Sequence, residues 1–364
     1  MGHAPQALID HAALRHNLQR VREAAPASRV WVVLKADAYG HGLERVARTL
    51  AQADGFAVAR LDEAVRLRRL DPARPILILG GCYTRDELEV AARQRFEVTL
   101  HQHLQLALLD EMDRHAPPLR VWLKVDTGMH RLGFAPGLVE GVAERLSRHS
   151  KVGSLNLLTH LANADDRSDS ATHSQLHQFD SLDQGRYQAC SIANSAGVLG
   201  FEASHRDWVR PGIMLYGASP FLEGRAEQDG LRPVMTLRSR VVSVKLARPG
   251  DPIGYGGCYR CPEEMPVAVV AAGYGDGYPR HAVEGTPVLV GGQRLPLIGR
   301  VSMDLITLDA REYPDVRVGE EAVLWGRGLP VEEVAEQAGT IAYELFCNVS
   351  SRVEFIDLNL SREG

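Results

Sequence analysis

The sequence predicts an α/β protein: a (β/α)8 TIM-type barrel followed by a C-terminal mostly-β domain. Three observations predict it. Short apolar strand segments recur eight times in the first two thirds of the 364 residues, with amphipathic helical stretches between them. Basic and polar residues collect at the C-terminal ends of those segments, the face on which such barrels carry their sites. From about Gly230 onward helical periodicity gives way to short strands broken by Gly and Pro.

The strand segments are, in order, "VWVVLKAD" from Val30, "FAVAR" from Phe56, "PILIL" from Pro75, "EVTLH" from Glu97, "RVWLKVD" from Arg120, "SLNLLTHL" from Ser154, "ACSIAN" from Ala189 and "VRPGIMLYG" from Val209. Each is a short run rich in apolar and β-branched residues, as buried parallel strands require. Between them, "LERVARTLAQA" and "LDEAVRLRRL" repeat apolar residues at i, i+3 and i+4, with Arg and Asp on the opposite face. A doubly wound sheet would also alternate strand with helix. The placement of Lys35, Lys124, Asp126, Arg131, His160, Asn194, Ser195 and Arg210 at or just past strand ends favours the barrel.

In the last third, "VMTLRSRVVSVKLARPGD", "PVAVVAAGYGDGYP", "TPVLVGGQRLPLIGRVSMDLITLDA" and "EEAVLWGR" read as strands, and "PVEEVAEQAG" as the one convincing helix. The polar, Gly- and Pro-punctuated "PFLEGRAEQDGLRP" reads as the linker. The expected domains are residues 1–228, the barrel, and 229–364, the β-rich domain.

Composition narrows the function classes. Apolar residues make up 45% and charged residues 24%, an ordinary globular balance with ample core. Acidic and basic residues, 46 against 41, are mixed along the chain, so no basic footprint for nucleic acid or an anionic membrane is present. The longest apolar run, near "MPVAVVAAG", is far short of the roughly 20 residues of a membrane helix. The N-terminus lacks a basic n-region and an apolar h-region, so a cytoplasmic protein is expected. Five scattered cysteines fit a reducing compartment. Cys258 and Cys261 form an isolated CxxC that reads as two incidental thiols, and no metal is expected.

Several motifs carry chemistry. In "VWVVLKADAYGHG" a buried strand runs into Lys35. An amine at a barrel mouth flanked by apolar wall is partly desolvated, which disfavours its ammonium form and makes it able to form a Schiff base. A cofactor aldehyde such as pyridoxal phosphate is the natural partner. Taken alone, Lys35 reads first as a lysine that snorkels to solvent at a strand end. "NSAG", Asn194 to Gly197, and "RPGI", Arg210 to Ile213, offer a hydroxyl and close backbone N–H groups for a phosphate, or form plain turns. "KVDTGMHRLGF" places Arg131 in a Gly-flanked loop, suited to bidentate capture of a carboxylate or simply exposed, with Lys124 nearby. Tyr255 in "GYGGCY", Tyr274 in "GYGDGYPR" and Tyr343 are tyrosines that pack, or that act as bases beside a cation.

Taken together, "VVLKADAYGHG", "KVDTGMHRLGF", "NSAG", "VRPGIMLYG", "GYGDGYPR" and "GRVSMD" closely resemble the bacterial alanine racemase family, fold-type III pyridoxal phosphate enzymes, over nearly the whole chain. The resemblance implies a homodimer whose two sites draw on both subunits. It implies that Lys35 binds the cofactor covalently and serves as one racemisation base, with Tyr255 as the second, supplied by the partner subunit. Arg210 resembles the arginine that faces the pyridine nitrogen, and His160 the histidine between that arginine and the tyrosine base. Tyr39, Ser195, the backbone at Gly212 and Ile213, and Tyr343 resemble the phosphate-binding set. Arg131 and the backbone N–H of Met303 resemble the substrate-carboxylate clamp. Lys124 matches a lysine often carbamylated in the family, and Tyr274 and Asp304 match entrance residues. One departure concerns Ser191, where some members carry a histidine behind the arginine; a longer hydrogen-bond chain is therefore not expected.

The expected function is pyridoxal phosphate-dependent interconversion of L-alanine and D-alanine, serving peptidoglycan precursor supply or D-alanine catabolism. A broad-spectrum amino-acid racemase and a non-catalytic pyridoxal phosphate-binding protein are the alternatives. A decarboxylase of the same fold type would pair the pyridine nitrogen with a carboxylate, which Arg210 argues against.

Overall fold

The computed structural model describes residues 4–360 and divides them into two compact units, one formed by residues 17–215 and 220–224, the other by residues up to 16, 216–219 and from 225 onward.

The first unit is a closed parallel barrel of eight strands: β2 (Arg29–Val33), β3 (Gly55–Val58), β4 (Ile76–Ile78), β5 (Glu97–Leu100), β6 (Leu119–Lys124), β7 (Val152–Leu158), β8 (Cys190–Ser191) and β9 (Trp208–Val209). Seven of the expected segments hold a strand, in order; the eighth, expected from Val209, meets β9 only at Val209 and continues into the 3-10 helix Ile213–Tyr216, and β9 pairs with β2 through Arg29 opposite Trp208 to close the ring. The strands are almost wholly buried because helices cover the outside and side chains fill the inside. Trp31 is fully buried, stacks on Trp208 with ring centroids 4.2 Å apart, and meets Trp122 edge-on at 6.4 Å. A Cβ at Gly55 would lie 2.3 Å from the Trp31 ring, so only glycine admits that indole. The Trp122 indole N–H donates to Glu97 Oε2 at 2.6 Å.

The second unit carries an eight-stranded sheet. Its long strand β10 (Met235–Ala247) pairs antiparallel with β13 (Met265–Val270) at one edge and with β17 (Glu321–Trp325) at the other. With β14 (Pro287–Val290), β15 (Gln293–Ile298) and β16 (Ile306–Asp309) these strands close a six-membered ring, while β11 (Pro252–Ile253) and β12 (Tyr259–Arg260) form a small separate ladder.

Two features differ from the sequence expectation. The segment Gln6–Asp10 is a strand, β1, and it belongs to the second unit: it pairs antiparallel with β10 and parallel with β18 (Glu354–Leu358). Its alternating burial is the period-2 signal of a half-buried strand, and five residues are too few for that period to stand out. A single cut between 228 and 229 therefore does not describe the division, since the second unit takes in the start of the chain and residues 225–228. The β-rich unit also holds a second helix, Ala342–Cys347, beside Val331–Gln337.

Candidate functional site

The barrel unit brings nine of the expected residues to the C-terminal ends of its strands. Lys35 and Tyr39 follow β2, Lys124 ends β6, Arg131 lies in the next loop, and His160 follows β7. Ser195 opens the helix Ser195–Gly200 after β8, and Arg210, Gly212 and Ile213 follow β9.

Local sequence explains each placement. After β6, Asp126 Oδ1 accepts from the N–H groups of Gly128 and His130, folding the loop that carries Arg131. Gly133 has φ 129°, and a Cβ there would lie 2.7 Å from Asp126 N, so the loop can close only with glycine. Gln175 braces two strand ends: its Nε2 donates to Thr127 Oγ1 and to the His160 carbonyl, and its Oε1 accepts from Ala162 N. Asn194 caps the short helix through Gly197 N at 2.9 Å, which turns Ser195 toward β9. Ser195 Oγ then accepts from Gly212 N at 2.8 Å and Met214 N at 3.4 Å, joining the two glycine motifs. Its own O–H remains a donor. A Cβ at Gly212 would lie 2.4 Å from the Tyr39 hydroxyl oxygen, so this glycine makes room for the phenol.

Arg210 is buried at 4% exposure and is held by neutral groups. One Nη1–H goes to Ser191 Oγ, and Nη2 donates to the Thr159 and Ile192 carbonyls. Ser191 Oγ donates in turn to Trp208 O at 2.6 Å. The chain behind Arg210 thus ends on barrel backbone after one hydroxyl, and of its five N–H donors Nε–H and one Nη1–H are left over from these bonds.

Electrostatics unify the mouth. Burial pulls Arg210 down to about 10, still cationic at neutral pH. Lys124 is lowered to about 8 by burial first and then by Arg210 and Arg131. His160 is held well below the usual imidazole range by desolvation, then by Arg210, Lys124, Lys35 and Arg131. Four cations therefore act on one half-buried imidazole and keep it neutral. A set of cations gathered in a partly dry mouth fits a ligand that brings its own negative charge.

The backbone between Lys35 and Tyr39 turns in the left-handed sense: Ala36, Asp37, Ala38 and Tyr39 have φ of 52°, 51°, 56° and 53°, and Gly40 follows at 75°. Each non-glycine residue there costs roughly 1–2 kcal/mol.

The second unit carries Tyr255, Tyr274, Met303, Asp304 and Tyr343. Tyr255, on the turn Tyr255–Gly257, is 70% exposed, and Met303 is 52% exposed. The Tyr274 and Met303 loops are stitched by Tyr274 N to Ser302 O and Gly275 N to Met303 O, and Arg352 binds Asp304 at 2.6 Å. Tyr343 lies half-buried on the helix Ala342–Cys347. Among the described residues no cluster of metal-binding side chains occurs, no disulfide joins any of the cysteines, and no helix is long and apolar enough to cross a membrane. Sequence reasoning passed over Glu63, whose signal was a glutamate in the first turn of a helix, the position of a capping box.

A parallel barrel with a lysine, a phosphate-type hydroxyl pair and a carboxylate-free arginine at its mouth, joined to a β unit bearing exposed tyrosines, defines a fold-type III pyridoxal phosphate protein. The family models for the alanine racemase N-terminal domain and C-terminal domain match residues 9–220 and 234–356. The chain belongs to the alanine racemase family. It is 53% identical over 350 residues to the alanine racemase of Nitrosococcus oceani, covering 96% of this chain and 98% of that one. It is 51% identical to that of Halorhodospira halophila over 97% of both chains. Among solved structures, the biosynthetic alanine racemase of Pseudomonas aeruginosa superposes with a TM-score of 0.95 at 41% identity, over 98% of this chain and all of that one. The alanine racemase of Bartonella henselae with covalently bound pyridoxal phosphate superposes at 0.89 with 28% identity, over 98% and 99%.

Proposed function

We propose that Lys35 and Tyr255 are the two bases of this chain's reaction, the pyridoxal phosphate-dependent interconversion of L-alanine and D-alanine. One takes the α-proton and the other returns a proton from the opposite side; for the other enantiomer the roles exchange. The observation that carries the reading is the cluster of cations at the barrel mouth, whose fields converge on His160.

Residues of the mouth fit the cofactor. Lys35 would hold it covalently, Tyr39, Ser195 and the Gly212–Ile213 backbone would bind its phosphate, with Tyr343 of the second unit joining them in this reading, and Arg210 would serve its pyridine nitrogen. When bound, the cofactor supplies an electron sink for the α-carbon. Arg210, which does not readily give up its proton, would offer that nitrogen a hydrogen bond without protonating it. His160, neutral, would stand between Arg210 and the tyrosine base without adding a further cation. Arg131, with the backbone N–H of the partner subunit's Met303, would clamp the substrate carboxylate.

A lysine lowered to about 8 exposes neutral amine near neutral pH. Lys124 Nζ then attacks carbon dioxide and releases a proton, leaving a carbamate anion beside Arg131. The exposure of Tyr255 and Met303 supports their service to a second copy of the chain, as a homodimer. Tyr274 and Asp304 line the entrance in this reading, and cysteines without a disulfide support a cytoplasmic setting.

The test is racemisation of L-alanine in deuterated water, wild type against Tyr255→Phe. The reading stands when wild type inverts alanine with α-deuterium uptake and the variant binds cofactor but does not form D-alanine. A protein that binds cofactor yet neither exchanges nor inverts alanine overturns it.

A further inference from the structure

We infer that Glu63 is a positioning residue that holds Lys35 in place by clamping the left-handed turn behind it; the inference rests on reading Lys35 as the cofactor lysine. Four consecutive non-glycine residues with positive φ persist only where the surroundings over-determine them. Inside the turn, Ala38 N bonds Leu34 O, Gly40 N bonds Ala36 O and Gly42 N bonds Asp37 O. The first N–H of any helical turn has no acceptor within it. Here that group is Ala36 N, one residue after Lys35, and it donates to Glu63 Oε1 at 2.8 Å.

Glu63 is itself fixed. It is 5% exposed, and its Oε2 accepts from Ala59 N at 2.9 Å and Arg60 N at 3.1 Å, at the start of the helix Leu61–Leu70. One carboxylate thus ties the end of the third strand to the turn after the second. Three residues along the same helix, Arg66 Nη2 reaches Asp37 Oδ1 at 3.1 Å, and that oxygen also accepts from Leu43 N. A single helix therefore grips the turn at Ala36 and at Asp37. The turn fixes the path between Lys35 and Tyr39, so releasing it disturbs both the covalent and the phosphate attachment.

The experiment compares Glu63→Gln, Glu63→Asp, Glu63→Ala and Arg66→Ala with wild type. It reads the pyridoxal phosphate dissociation constant by equilibrium dialysis, amide hydrogen exchange of the peptide spanning 36–42, and thermal stability. Glutamine presents an acceptor to only one side of the clamp. Its dissociation constant is expected to rise about tenfold or more, the consequence of losing a hydrogen bond to a charged group, with faster exchange at 36–42. Aspartate, shorter but with both oxygens, recovers part of the loss, and Arg66→Ala shifts both readouts the same way by a smaller factor. Wild-type cofactor affinity and wild-type exchange in the folded Glu63 variants, whatever their thermal stability, overturn the inference. Where none of them folds, Arg66→Ala decides by the same two readouts. Failure of the lysine reading is separate: it shows as covalent cofactor incorporation that survives Lys35→Ala.

Discussion

The barrel mouth and the β unit present their candidate residues in opposite ways. The mouth buries its charges: Lys124 and Arg210 are nearly inaccessible; Arg210 is held by backbone carbonyls and one hydroxyl, and Lys124 is lowered by burial and by repulsion from Arg210 and Arg131. The β unit displays Tyr255 and Met303 on exposed turns. The difference teaches where each half obtains its function. A buried cation has paid its desolvation within its own chain and is already tuned, whereas an exposed tyrosine gains its working surroundings only when the site assembles.

Replacing Lys35 by Ala tests the buried half and has the largest expected effect. Racemisation should fall by about 10⁴-fold or more, since a base is lost together with the covalent attachment. Borohydride reduction followed by mass spectrometry should find no cofactor on the variant chain. Retained incorporation would move the attachment site elsewhere.

Tyr255→Phe tests the exposed half. Activity should drop about 10²- to 10⁴-fold while the melting temperature stays near wild type, because a largely exposed hydroxyl contributes little to the fold. A large loss of stability instead would show that Tyr255 packs within its own chain and would erase the contrast.

How far the sequence disclosed this arrangement differs between the halves. Seven of the barrel strands were legible because buried parallel strands are continuous apolar runs, and Lys35, Lys124 and Arg210 stood out as charges set into such runs. The strand Gln6–Asp10 was missed because five residues carry little periodicity and its partners, β10 and β18, lie more than 200 residues away. The left-handed path through "ADAY" was illegible in principle: alanine favours right-handed helix, and the turn is gripped from a neighbouring helix by Glu63 at Ala36 and by Arg66 at Asp37. Ser191 was visible as a departure, but only the bonds from Arg210 and to Trp208 O show that a hydroxyl suffices there.

Lys124 sharpens the comparison through pH. Its folded pKa, about 8, lies below the ordinary lysine value of 10.5. The unfolded chain thus holds the proton more tightly, and the burial penalty is fully present below pH 8 and relieved as pH rises toward 10.5. Cofactor-free wild type in buffer stripped of carbon dioxide, where Lys124 is the free amine, should gain stability over that window by about 3 kcal/mol relative to Lys124→Met, in which no charge is buried. Denaturant midpoints at pH 7 and pH 10 measure it. A difference between the two proteins that does not change with pH would mean the amine reaches water, and the mouth would no longer contrast with the exposed unit.

The smallest effect comes from Ser191→Ala, which deletes one neutral acceptor behind Arg210. The guanidinium keeps its bonds to the Thr159 and Ile192 carbonyls, so it should not be expelled. The Trp208 carbonyl loses the Ser191 donor, and one Nη1–H of Arg210 is left without an acceptor in the barrel wall. Together these should cost about 1–3 kcal/mol of stability. Because Arg210 stays cationic and in place, alanine turnover should change by only a few-fold, and its pH profile should not shift. Ser191→Thr, which keeps the hydroxyl, should recover the stability if its methyl fits. A collapse of activity in Ser191→Ala with unchanged stability would show that Arg210 depends on this one hydroxyl for its alignment, making the buried half as contingent on a single contact as the exposed one.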